Sequence, residues 1–430
     1  LCAGIREEVK ADMPKTSAAT PPLLRRVNAG KLLGVLSTAG VMTGTGLIEA
    51  TGLTRATVHA VCNDLIEMGW VIELDPGRDD AAVGRPSRRF EFNSQAGYVL
   101  GIDVGAGKTT VLLADLRGET VAKSGRSFQQ VKSPAESTEL VHEAVVEALS
   151  SAGVTDAEVL AAGIGVAAPV DRLGNILLDD EFWRRFDTGL TARLTELHGW
   201  PVLLENDANL AALGEHWRGE ARDVDDLVVL LAGERFGSGL MDSGRLLHGS
   251  RGGAGEMVYL KLVEGVGDTA GIARTAREQG ARVVADPSSK TALRALAGAD
   301  PVTAEQVFTA AADGDEVALG ILQYVADRTA RVVATLSILF NPELVVIGGA
   351  VAEAAKSLLP DIERQLTAFT ATPPRVAASS LGDAIVSVGA VRHALNYVEQ
   401  HALDLQLTTR VQGRRVRAEA AASSTTRLRP

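Results

Sequence analysis

The sequence predicts an α/β protein with a winged helix-turn-helix at its head. Three observations carry this. Three helical patterns between residues 27 and 68 are followed by two short β-rich runs around a basic loop. From residue 98 onward, β-branched runs alternate with helical patterns, the mark of α/β architecture. At 430 residues the chain exceeds what one core serves, which implies two or three domains.

Helix-like runs cover Val27–Thr38, Gly46–Thr51 and Thr54–Met68, and Thr51-Gly52-Leu53 supplies a tight turn between the second and third. In the third, Val58, Val61, Cys62 and Leu65 recur at i, i+3, i+4 and i+7, one buried stripe. Thr54 is placed as the N-cap. Arg55, Thr57 and His59 then occupy the opposite side and flanks of the first turns, where a recognition helix meets base edges. The runs WVIELD and FEFN flank the loop GRDDAAVGRPSRR, a β-wing whose Arg85, Arg88 and Arg89 would meet phosphate or the minor groove. A small helical protein-interaction module with a solvated basic loop is the plainer alternative. Turn, cap, stripe and wing in this order favour double-stranded DNA.

The long body opens with YVLGIDVGAGKTTVLLADLRGETVAKSG, three apolar runs broken by turn residues that read as adjacent strands. Helical patterns follow at Glu136–Ser151 and Asp207–Trp217, with the strand-like runs VLAAGIGV, PVLLE and DLVVLLAG between them. No short internal repeat is evident. Two motifs fail on inspection. The Gly105-Ala-Gly-Lys-Thr string lacks the glycine a P-loop needs five residues before Gly107, where Ile102 stands. Gly163-Ile-Gly165 is followed by Pro169 and Asp171 where a dinucleotide fold needs a helix.

Composition narrows the class. Apolar residues make up 46% of the chain, yet no run reaches the roughly 18 residues of a membrane span, and no secretory signal is evident. The only cysteines, Cys2 and Cys62, argue against a disulfide framework and fit a reducing cytoplasm. The formal charge of −11 looks wrong for a nucleic-acid binder, but residues 23–92 are neutral and the remainder carries the deficit. That balance permits DNA binding without diagnosing it. Residues 1–22 read as a disordered leader, with Met13 the expected natural start, and 406–430 as a flexible basic tail.

From about Arg25 to about Val398 the chain resembles the ROK family, which groups bacterial repressors with sugar kinases of the actin-like ATPase (ribonuclease H-like) fold. The strings that carry the resemblance are GLTRATVHAVCNDLIEMGWV, GRPSRRFEF, GYVLGIDVGAGKT, GIGVAAPVD, ENDANLAALGE, GSGLMDSGRLLHGSRGGAGE and NPELVVIGGAV. Each is weak alone; seven in the family's order are specific. The resemblance implies a winged helix at 23–94 and a two-lobed sugar-kinase-type sensor at 95–405.

It also implies site residues. Asp207 matches the family's catalytic base, which draws a proton from a sugar hydroxyl, and Asn206 a sugar contact. An Asn-Asp helix cap is the alternative reading of the same pair. Glu256 matches a sugar-binding glutamate. Tyr259 stands where the family has a histidine shared by sugar and zinc, the cysteine loop is shortened to LKLVE, and Glu264 aligns with the final sugar-binding glutamate. Without histidine and cysteines the resemblance implies no metal and no other cofactor. In the first phosphate loop Asp103 and Gly105 persist, but Ala106 and Gly107 replace a glycine and a threonine. In the second, Glu234, Arg235 and Phe236 stand among the glycines, and Glu234 would set a negative charge beside phosphate.

The resulting expectation is a cytoplasmic, non-enzymatic regulator, a repressor of carbohydrate genes controlled by a sugar-type effector. Reading two half-sites makes it a homodimer or higher oligomer. An active ATP-dependent sugar kinase and a constitutive DNA-binding protein with a vestigial pocket are the rivals.

Overall fold

The computed structural model describes residues 21–74, 88–131, 133–177, 183, 186–405 and 407. They fall into two compact units, one reaching to Asn93 and resuming at His401, the other running from Ser94 to Gln400.

The first unit has three helices, α1 (Pro21–Ala39), α2 (Gly44–Thr51) and α3 (Arg55–Glu67). α1 begins at Pro21, inside the expected leader; residues 1–20 lie outside the described set. Gly52, at φ 67°, closes α2 by donating its N–H to Ile48 O, a left-handed turn that favours glycine. Thr54 caps α3, its hydroxyl accepting from Thr57 N at 3.2 Å. Val58, Val61, Cys62 and Leu65 form the buried face of α3, the stripe the periodicity predicts. Leu32, Leu36, Leu47, Trp70 and Phe90 are likewise fully buried or nearly so, and α1 and α2 both lie against α3. Burying such side chains stabilises by about 1.5–3 kcal/mol each. The wing strands β2 (Val71–Leu74) and β3 (Arg89–Phe92) pair antiparallel, and β1 (Met42–Thr43) adds to the far side of β3.

The C-terminal segment also belongs to this unit. The indole N–H of Trp70 donates to Ala402 O (2.9 Å) and Leu405 O (3.2 Å), and Leu407 N donates to Met68 O at 2.8 Å. Leu407 is fully buried, although the sequence places it in a flexible tail. Position 406 and those from 408 onward lie outside the described residues.

The second unit contains two five-stranded sheets of identical order. In the first, β4 (Tyr98–Val104), β5 (Lys108–Asp115) and β6 (Thr120–Ser127) form a meander, and β7 (Val159–Val166) and β8 (Val202–Asn206) run parallel to β4. In the second, β9 (Leu227–Leu231), β10 (Gly237–Asp242) and β11 (Arg245–Leu246) are followed by the parallel β12 (Leu344–Gly348) and β13 (Arg375–Ala378). What repeats between the two sheets is strand order.

Two helices pack between the sheets: α4 (Asp207–Arg218) and α5 (Ile385–Gln400). Their approach is close enough to require glycine. A Cβ on Gly389 would lie 1.7 Å from Leu210 O, and one on Gly163 2.3 Å from Ala390 O. Gly163, part of the rejected dinucleotide match, therefore serves helix–sheet packing. No described helix is long and apolar enough to cross a membrane.

Candidate functional site

Two sets of side chains bear on function, one in each unit. In the first, Thr54 and Arg55 are exposed at the start of α3. The Thr54 and Thr57 hydroxyls lie 2.8 Å apart and bond to each other. His59 does not project freely. It is half-buried and meets the Phe90 ring edge-on at 6.4 Å. Burial, then the charges of Arg88 and Arg55, push its imidazole below the ordinary value, so it is neutral at pH 7. Arg88 is engaged by Glu73: Nε to Oε1 and Nη2 to Oε2, both 2.6 Å, with the guanidinium 5.0 Å over Phe90. Arg89 is half-buried in the sheet between Thr43 and Leu74. Arg85 lies outside the described residues.

In the second unit a cleft of about 630 Å³ opens between the two sheets, lined by Asp103, Lys108, Asn206, Asp207, Arg235 and Glu256 among others. Several elements converge there, with Arg235 coming from the loop between β9 and β10. The β4–β5 turn, closed by Gly105 N to Lys108 O, brings Asp103 and Lys108. The junction of β8 with α4 brings Asn206 and Asp207, and the loop beyond β11 brings Glu256.

Asn206 proves to be the helix cap. Its Oδ1 accepts from Ala208 N (3.0 Å) and Asn209 N (3.1 Å), and its Nδ2 donates to Ala168 O (3.0 Å). One amide hydrogen remains for a ligand. Asp207 is the first helical residue, so cap and cleft readings coexist at adjacent positions. Burial pushes the Asp207 carboxyl up to about 7, against the pull of the Ala208 N–H. Burial, then the Asp207 charge, raise Asp103 to about 7 as well, with Lys108 opposing. A carboxyl raised to near neutrality can donate a hydrogen bond when protonated and accept one when ionised.

Two predicted contacts do not reach the cleft. Tyr259 is 68% exposed and Glu264 is also exposed; neither lines the cavity. The cause is local: Leu260–Leu262 forms a 3-10 turn that buries Leu260 and leaves Tyr259 and Leu262 outside. Glu234 also behaves differently from expectation. Arg277 grips both its oxygens at 2.5 and 2.7 Å, so the charge expected beside phosphate is neutralised from the helix Ile272–Ala285. Among the described residues no cluster of three or more His, Cys, Asp or Glu is arranged to hold a metal ion.

Sequence reasoning missed the support beneath the cleft. Glu205, buried behind Asn206, accepts from Asn206 N (2.8 Å), Asn209 Nδ2 (2.9 Å) and His248 Nε2 (2.8 Å). The string ENDAN contains the carboxylate, but its histidine partner lies 43 residues away.

A winged helix joined to a two-lobed actin-like domain with a carboxyl-lined cleft between its sheets defines the class of protein. The ROK family model matches residues 99–396, and the chain belongs to the ROK family. It is 32% identical to a glucokinase of Halalkalibacterium halodurans, over 65% of this chain and 88% of that protein. It is 27% identical to a xylose repressor of Caldicellulosiruptor bescii, over 68% of this chain and 75% of that protein. A solved ROK family transcriptional regulator, a homolog of the E. coli MLC protein, superposes with a TM-score of 0.72. It is 22% identical, covering 89% of this chain and 99% of that one, a likeness of fold.

Proposed function

We propose that this chain is a sugar-responsive transcriptional regulator, a repressor of carbohydrate genes. Residues 23–94 would read operator DNA as one half of a homodimer, and the unit from Ser94 to Gln400, which holds the ROK match, would hold a neutral sugar. The supporting observation is the union in one chain of a winged helix with exposed Thr54 and Arg55 and a cleft carrying Asn206, Asp207 and Glu256. The names of the xylose repressor and of the Escherichia coli regulator NagC, 25% identical over 79% of this chain, point the same way. A soluble cytoplasmic location follows from this role. Selecting operators from random duplex, then titrating D-xylose and D-glucose into the complex, tests the proposal. Loss of both DNA selection and sugar binding would end it.

Kinase activity is the second reading, and two observations favour it. Asp207, raised to about 7, suits a general base, and the Arg277 fork removes the charge objection at Glu234. Against it stand Ala106 and Gly107, which supply no hydroxyl to the phosphate loop. With ATP, magnesium and hexoses we expect no turnover. Robust phosphorylation that disappears in Asp207→Asn would establish the kinase reading instead.

A further inference from the structure

We propose that His248 is a positioning residue of the cleft, a clasp that fixes the Asn206–Asp207 peptide of the first lobe against the Glu256 loop of the second. The proposal rests on the sugar-cleft reading above. His248 follows β11 in the second lobe, and its Nε2 donates at 2.8 Å to Oε2 of Glu205, near the end of β8 in the first-lobe sheet. An ionised carboxylate only accepts, so the proton sits on Nε2.

Each partner of this pair holds one wall of the cleft. The other Glu205 oxygen accepts from Asn206 N and Asn209 Nδ2, which fixes the peptide that presents Asn206 and Asp207. His248 O accepts from Ala254 N at 3.2 Å, closing the loop two residues before Glu256. The same loop rests on first-lobe backbone: a Cβ on Gly252 would lie 2.1 Å from Val170 O. His248 itself does not line the cavity, so its action is on the groups that do.

The surroundings favour the charged pair. The Glu205 hydrogen bond raises the His248 pKa, against burial and the nearby Arg172 charge. For Glu205, burial would raise the carboxyl, but the His248, Asn209 and Asn206 donors outweigh it and hold it low. His393, a further titratable group near the pair, is pushed below the ordinary imidazole value by burial, with the Glu205 charge opposing. The clasp is therefore closed below the raised His248 value and weakens as pH rises through it.

The test uses the full chain in two arms. In the first, NMR titration of labelled histidine should give His248 a value above the ordinary range that falls back in Glu205→Gln; an ordinary value in the parent overturns the pairing. In the second, calorimetric titration with D-glucose and D-xylose is compared at about pH 6 and about pH 8.5. His248→Ala should weaken sugar binding about tenfold at the lower pH, the loss of one charge-assisted bond, and less at the higher. His248→Gln, which donates without titrating, should recover part of the affinity equally at both. Asp103 and Asp207 titrate in this window too, so the measured quantity is the difference between parent and variant. Parent-like binding by His248→Ala at both pH values overturns the positioning role. If the parent binds neither sugar, the sugar reading fails, and the first arm still judges the pair.

Discussion

Arg88 and Glu73 form a two-point ion pair across the foot of the wing, with Nε–Oε1 and Nη2–Oε2 both at 2.6 Å. The residue assigned by sequence to phosphate is thus held by a carboxylate of the neighbouring strand. Its side chain is 32% exposed and that of Glu73 40% exposed, so the pair contributes only about 0.2–1 kcal/mol to stability. A phosphate can compete for such an arginine. Arg88→Ala should weaken selected and random duplex alike and lower the salt slope by about one. Glu73→Gln, which frees the guanidinium, should tighten random-duplex binding. Salt titrations on both duplexes check this; no change in either variant would remove Arg88 from the DNA face.

Arg55 should act through a different term. It is exposed on the first turn of α3, the place from which a recognition helix reaches base edges. Arg55→Ala should cost about 1–3 kcal/mol on a selected operator if the contact is bidentate, with little change on random duplex. A uniform loss on both duplexes would assign Arg55 to backbone contact instead.

These elements were legible because their signals are local. The stripe Val58, Val61, Cys62 and Leu65 and the Thr54 cap depend on residues within two turns of one another, and both appear in the structure as read. Long-range partners were not legible. Nothing in a sequence pairs Glu234 with Arg277 or Glu205 with His248, each 43 residues apart, or Trp70 with a carbonyl 332 residues later. Tyr259 and Glu264 were misplaced for a related reason. A motif alignment assumes the loop geometry of longer relatives, and the turn Leu260–Leu262 redirects both outward.

Asn206 should matter for stability apart from any ligand. Asn206→Ala removes the cap of α4 and the bond to Ala168 O, and should cost about 0.5–2 kcal/mol. Asn206→Asp retains the capping oxygens and should recover part of this. Urea unfolding followed by circular dichroism measures both. An Asn206→Ala protein as stable as the parent would contradict the capping geometry.

The raised carboxyls set a pH dependence whose sign is definite. Asp103 and Asp207 move from an ordinary 3.8 to about 7 in the folded chain. Between those values the native state binds more protons than the unfolded one, so stability falls as pH rises. The contribution is complete below about pH 4 and gone once pH passes through about 7. Asp207→Asn removes one titrating group and its charge on Asp103, so melting temperature should decline less steeply over this window than in the parent. Parallel pH profiles for the two proteins would show that Asp207 ionises freely in the cleft.

The last prediction joins the two units through thermodynamics alone. If a sugar weakens operator binding by some factor, the operator must weaken sugar binding by the same factor. Typical coupling of about 1–3 kcal/mol corresponds to roughly 5–150-fold, within reach of sugar titrations with and without operator. The cleft residues that would generate this coupling are remote in sequence from the helix that would read DNA. Asp207→Ala and Glu256→Ala should therefore abolish the sugar response while leaving operator affinity at the parent value. Arg55→Ala should do the reverse, weakening the operator while the sugar affinity of the free protein is kept. This crossed pattern separates a regulator from both rivals: a constitutive binder shows no sugar response in the parent, and a kinase turns over ATP. Should Asp207→Ala and Glu256→Ala respond to the sugar as the parent does, the effector is held elsewhere than in the cleft between the two sheets.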